Sequence, residues 1–258
     1  MKFRRALFLI FSLALLSSCG QEPAKELPSP FDNQPDPTAK HKGPKAVFIG
    51  DSITWQWGLV TRTLKSTQKV VIPTDPMPSW MSISGENVTI TWHSAFFTSN
   101  DYVDKGVSGE RTDEMLARYQ KDVLDQDPWC VVIMGGTNDL AQGIGKTRIL
   151  ENLSSMAEQA AAKDMKVILC SVTPCNATYS RLDNPKTKGA HIITLNGMIK
   201  DYAAGKGFTW CDYWTSLVDT DGLSMKEAYW LYDDLHPNPD GYTVMEGIIK
   251  PIIDKALE

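Results

Sequence analysis

Four short apolar runs constrain this chain more than any other feature. Ala46-Val47-Phe48-Ile49 ends in Gly-Asp-Ser, and runs of the same kind occupy Trp129–Met134, Val167–Val172 and Phe208–Cys211. Such runs read as strands buried on both faces, since a strand with one wet face alternates apolar and polar residues. Asp101–Val107 is a weaker strand of the same series. Helical patterns lie between them. Ile149, Leu150, Leu153, Met156, Ala157, Ala160 and Ala161 form one apolar face, and Ile192, Ile193, Leu195 and Met198 suggest a second helix before Gly205. Near the end, Asn238 suits an N-cap and Pro239 the first helical position, followed by a stripe of Val244, Met245, Ile248 and Ile249. A kink is expected at Pro251. Strands alternating with helices predict an α/β domain whose parallel sheet is covered on both faces.

Residues 59–100 break this alternation. Val70–Ile72 and the alternating Val88–Trp92 look like short strands around Pro73, Pro76 and Pro78. The segment reads as an inserted loop or hairpin, either a specificity element beside the ligand site or a packing flap.

The first 44 residues have a different character. Met1–Arg5 is basic, Ala6–Leu16 is apolar apart from Ser12, and Ser17 and Ser18 lead into Cys19. This is the three-part build of a secretory signal, and the apolar run is too short to span a bilayer. Leu16-Ser17-Ser18-Cys19 resembles a bacterial lipobox, which implies cleavage after residue 18 and acylation of Cys19. Residues 19–44 hold six prolines from position 23 onward and read as an extended tether. The globular domain is expected over 45–258. The chain is thus expected to be exported and to touch the membrane only through its lipid.

With 258 residues, 42% hydrophobic, the chain can bury one good core. Removing Lys2, Arg4 and Arg5 with the leader leaves 23 basic against 31 acidic side chains, a net −8. That balance argues against a nucleic-acid partner. Cys130, Cys170, Cys175 and Cys211 match no zinc spacing, and three of them sit inside apolar runs, where cysteine is a small hydrophobe.

Four segments carry chemistry: Gly50-Asp51-Ser52-Ile53-Thr54, Gly106-Val107-Ser108-Gly109, Gly135-Gly136-Thr137-Asn138-Asp139 and Asp233-Asp234-Leu235-His236-Pro237. The first three follow strands, where a parallel sheet exposes side chains to ligand. A serine hydroxyl needs a base to become nucleophilic, and His236 can act as one on Ser52 if Asp233 orients its ring. Gly109 can offer a backbone N–H, Asn138 its amide and Ser52 its own N–H to a developing oxyanion. Each residue also has a plainer reading. Ser52 suits a helix N-cap, and Asp234 can substitute for Asp233. Asp51 and Asp139 are expected to brace loops rather than react. Trp55, Trp57 and Trp230 are either core residues or aromatic faces for a sugar ring or acyl chain.

Taken together in order, these four blocks resemble those of the SGNH/GDSL hydrolases over about residues 45–258. The resemblance implies a three-layer α/β/α sandwich similar to flavodoxin, with no cofactor; Asp233 and His236 are metal-ligand types, but no third ligand lies near them in the sequence, so no metal is expected. It implies a serine esterase with Ser52 as nucleophile, His236 as general base, Asp233 as its partner, and Ser52, Gly109 and Asn138 as the oxyanion hole. The substrate class it implies is a small-molecule or glycan ester, with acetyl groups on carbohydrate expected here. An O-acyltransferase, a lysophospholipase or thioesterase, and a binding module without catalysis are the alternatives. Asp104 stands where many members carry asparagine in an Asn-x-Gly, and a local change is expected there.

Overall fold

The computed structural model of the protein describes residues 40–57, 59–65, 79, 81–85, 87–175, 185–230 and 235–258. The leader, Cys19, most of the tether, Val70–Ile72, the three insertion prolines, Asp233 and Asp234 lie outside these residues. The strands are β1 (Ala46–Gly50), β2 (Leu59–Lys65), β3 (Met81–Ser84), β4 (Asn87–His93), β5 (Tyr102–Gly106), β6 (Cys130–Met134), β7 (Lys166–Cys170) and β8 (Thr209–Cys211). The helices are α1 (Ser52–Trp55), α2 (Phe96–Asn100), α3 (Thr112–Asp122), α4 (Thr137–Ala141), α5 (Lys146–Ala161), α6 (Pro185–Lys206), α7 (Trp214–Leu217) and α8 (Pro239–Leu257).

The main sheet runs β5-β1-β6-β7-β8, and every pair in it is parallel. Counting only its own strands in chain order, this is the 2-1-3-4-5 order of flavodoxin-like sheets. The continuous apolar runs have their expected cause. Ala46, Phe48, Cys130, Val132, Ile168 and Cys170 enter one core cluster with α8, while Val47, Ile49, Val131, Ile133, Val167 and Leu169 enter another with α3, α5 and α6. Helices therefore cover both faces, and the unit of residues 40–258 is a three-layer α/β/α sandwich.

Each covering helix buries a stripe at helical spacing. In α8 the stripe is Tyr242, Met245, Ile249 and Ile253, all fully buried. Each such aliphatic side chain contributes about 1.5–3 kcal/mol relative to exposure. Asn238 caps the start of this helix, its side-chain oxygen accepting from the Gly241 N–H at 2.9 Å, with Pro239 at the first position. The helix continues across Pro251. Proline removes the hydrogen bond to the carbonyl four residues back, that of Gly247, but both residues are exposed, so water can take that carbonyl. In α6 the buried stripe is Ile192, Leu195, Ile199 and Ala203, whereas Ile193 faces outward at 43% exposure.

Residues 40–44 pack onto the domain rather than closing the tether. The buried His41 bonds Asp127 at 2.9 Å and lies edge-on to Trp129. Cys130, Cys170, Cys175 and Cys211 are buried thiols. Within the inserted region, β2, β4 and β3 form an antiparallel sheet in that order, one strand more than the hairpin expected. Two contacts join the end of this sheet to α8: Trp92 stacks on Tyr242 with centroids 5.3 Å apart, and the Ser94 hydroxyl donates to Glu246 at 2.6 Å.

Candidate active site

The first three chemical segments are set at the C-terminal edge of the sheet by the ends of β1, β5 and β6, which are adjacent strands at the point where the order reverses. Ligands of open α/β sheets bind at that crevice. Ser52 opens α1 directly after β1. Asp51 caps this single turn, its carboxylate accepting from the Ile53 N–H at 2.9 Å. The Ser52 N–H is the first of the helix and has no intrahelical acceptor. Two long-range contacts hold the turn. The Tyr242 hydroxyl donates to the Ile53 carbonyl at 2.8 Å. Gly106, at the end of β5, lies so close to α1 that a Cβ there would sit 2.1 Å from the Trp55 nitrogen.

His236 reaches this turn from the other end of the chain, its Nε2 lying 2.8 Å from Ser52 Oγ. Its loop is pinned on both sides. Leu235 is buried in the core, and the loop's neck is closed by a bridge between Trp230 and Pro237. Asn238 adds bonds from its N–H to the Tyr229 carbonyl and from its amide to the Ala228 carbonyl, each 2.8 Å.

Gly109 has φ +84, a conformation that disfavours any side chain. The Asn138 amide donates to the carbonyl of Glu110, the next residue, at 2.8 Å. A primary amide has two hydrogens, so this bond fixes Asn138 beside Gly109 and leaves one donor for a ligand. Asp139 accepts from both the backbone N–H and the hydroxyl of Thr112, at 3.0 and 2.6 Å, and Asn152 in turn donates to the Thr112 hydroxyl at 3.0 Å. Asp51 and Asp139 thus brace their loops. Burial lifts the Asp51 carboxyl from 3.8 to about 6, opposed by the Ile53 N–H and by His236 and assisted by Asp139. Burial also raises Asp139, against the pull of Thr112.

The tryptophans separate into two kinds. Trp57 and Trp230 are buried at 1% and 5% exposure, Trp57 stacking on Phe96, so both are core residues. Trp55 is 51% exposed, three residues after Ser52 and therefore on the same helical face. Val107, beyond Gly106, is also exposed. Tyr242, Thr112, Asn152 and Asn238 are the supporting residues that spacing did not reveal. Only Asn238 carried a local signal, as an N-cap. Among the described residues no group of three or more His, Cys, Asp or Glu stands ready to hold a metal ion.

Residues 48–244 match the profile of a family described as GDSL-like lipase/acylhydrolase. The structure is similar to that of a GDSL-like lipase from Bacteroides thetaiotaomicron, with a TM-score of 0.63 and 30% identity, covering 82% of this chain and 88% of the other. A stretch of 80 residues, 29% of this chain, is 38% identical to an uncharacterized lipoprotein of Bacillus subtilis, YqeF. A stretch of 70 residues, 27% of this chain, is 34% identical to the esterase TesA of Pseudomonas aeruginosa. These matches span 33% and 35% of the two curated relatives' lengths.

Proposed function

The chain belongs to the GDSL-like lipase/acylhydrolase family, and from that premise we propose that it is a hydrolase of ester bonds, an exported, lipid-anchored serine esterase acting on acetylated carbohydrate, with Ser52, His236 and Asp233 as its triad. The observation that carries the reading is the 2.8 Å contact between Ser52 Oγ and His236 Nε2. With Nε2 unprotonated, the hydroxyl donates to it, which is the ground state of a serine attack.

In this reading Ser52 Oγ attacks the acyl carbon as His236 takes the hydroxyl proton. Asp233 accepts from Nδ1 and stabilises the imidazolium. The carbonyl oxygen becomes an oxyanion held by the Ser52 and Gly109 N–H groups and by the remaining Asn138 hydrogen. Collapse breaks the bond to the alcohol, which leaves with the proton from His236. Water, deprotonated by His236, then attacks the acyl carbon, and collapse breaks the bond to Ser52, whose Oγ takes the proton back from His236 as the acid leaves.

Two features support a carbohydrate alcohol. Trp55 offers an exposed indole beside the nucleophile, and indole faces stack on sugar rings. The leader and the Cys19 lipobox, with similarity to a lipoprotein over part of the chain, favour a site outside the cytoplasm, where glycans are met. A panel of p-nitrophenyl esters together with acetylated xylan and O-acetyl sialic acid tests the reading. A sugar esterase prefers acetyl to octanoyl and releases acetate from a glycan. A lipase gains with each methylene, by up to ~0.8 kcal/mol when buried. Rates that climb from acetyl to octanoyl, with no acetate from either glycan, replace the carbohydrate reading with a lipid one. A fluorophosphonate adduct on any residue but Ser52 refutes the triad.

A further inference from the structure

The three proposed oxyanion donors follow three different strands, so no local turn sets their separations. One side chain touches two of the segments that carry them and reaches the third through a neighbour. Arg118, in the middle of α3, is only 17% exposed and spends each arm of its guanidinium on a different partner. Nε donates to the Glu110 carboxylate at 2.7 Å, Nη1 to Asp122 at 2.8 Å and Nη2 to the Gly50 carbonyl at 3.1 Å. Gly50 ends β1 two residues before Ser52, and its carbonyl also accepts from the Val107 N–H at 3.0 Å. Glu110 follows Gly109, and its own carbonyl holds the Asn138 amide.

We infer that Arg118 is a positioning residue of the esterase reaction, setting the spacing of the Ser52, Gly109 and Asn138 donors through Gly50 and Glu110 without touching substrate. The inference rests on the oxyanion-hole reading above. A planar guanidinium suits this task because its donors point along fixed directions, whereas a lysine ammonium concentrates its charge at one point. A displacement of about 1 Å in a reacting geometry costs up to about 10²-fold.

The test compares Arg118→Met, Arg118→Lys and Asn138→Ala on p-nitrophenyl acetate and on a trifluoromethyl ketone inhibitor. Ser52 Oγ adds to that ketone's carbonyl carbon, the proton passes to His236, and the new oxyanion occupies the hole. Arg118→Met is expected to lower kcat by about 10–100-fold with KM within about twofold, and to weaken the inhibitor by the same factor. Arg118→Lys should fall between it and the parent, since one ammonium keeps the charge but not the three separately directed donors that serve Glu110, Asp122 and Gly50. If Arg118→Met does not fold, Arg118→Lys and the recovery of Arg118→Ala by added guanidinium carry the comparison. A fall in kcat with undiminished inhibitor affinity overturns the inference, as does unchanged kcat. Asn138→Ala separates the two levels. If it loses both kcat and inhibitor affinity while the Arg118 variants lose neither, only the role of Arg118 fails. If it loses neither, the oxyanion-hole reading fails with it.

Discussion

Asp104→Asn should make the protein more stable, and only above mildly acidic pH. Asp104 sits on β5, opposite Phe48 of β1, and its carboxylate accepts from the Gly106 N–H at 2.7 Å. Burial lifts its pKa from 3.8 to about 6, even though the Gly106 N–H and the Arg118 and Lys105 charges pull the other way. Between those two values the folded chain binds more protons at this group than the unfolded chain. Stability therefore falls as pH rises through that window, and the full penalty is present above it. At ~1.4 kcal/mol per pH unit the rise corresponds to a ceiling of about 3 kcal/mol. Partial exposure of the side chain reduces this to about 1–2 kcal/mol. Asparagine keeps an acceptor for Gly106 and carries no charge. The variant should thus melt higher than the parent at pH 8, by about 2–4 °C per kcal/mol, and the gap should close toward pH 4. Thermal and urea unfolding from pH 4 to 8 measures both. A variant less stable than the parent at pH 8, or a difference that does not change with pH, refutes the argument.

Other outcomes follow from the same geometry. Ser52→Ala should abolish p-nitrophenyl acetate turnover and fluorophosphonate labelling while leaving the thermal midpoint near that of the parent. Asn138→Ala should lower kcat by about 10²–10³ with a small change in KM, whereas a pure KM effect would make Asn138 a substrate-binding group. Trp55→Ala should raise KM for acetylated xylan by about 5–10-fold while changing p-nitrophenyl acetate turnover little, the size of one lost aromatic contact; equal losses on both would place the indole in the fold. Cys19→Ser should move the protein from the membrane to the soluble fraction, and unchanged fractionation would leave a plain secretory leader.

The main sheet was legible because its inner strands β1, β6 and β7 are buried on both faces. Such strands have no wet side, so Ala46–Ile49 and Trp129–Met134 appear as unbroken apolar runs whatever their neighbours are. The chemical blocks were legible because each is a short segment at a strand end or before a helix, where the backbone itself dictates glycine, serine or asparagine. Helix α3 escaped notice: its buried Met115 and Tyr119 stand among charged residues, too sparse a stripe to read. Strand β2 was missed as well, since in LVTRTLK the expected apolar run is interrupted.

What the sequence determined by itself was the strands of the main sheet, the long helices α5, α6 and α8, and the residue types at the strand ends, since these depend on local chain geometry and on the pattern of burial. The tertiary structure decided which of them meet. The strand order β5-β1-β6 gathers Ser52, Gly109 and Asn138, and it arises from sheet pairing across long stretches of chain. Trp55 and Trp57 are the same residue type two positions apart, yet one is exposed and the other buried, because Trp55 ends α1 facing outward while the turn after α1 sets Trp57 against Phe96. Arg118 reaches Gly50 across 68 residues and Tyr242 reaches Ile53 across 189. Contacts of that range depend on where packed helices place a side chain, and no spacing in the linear chain encodes it.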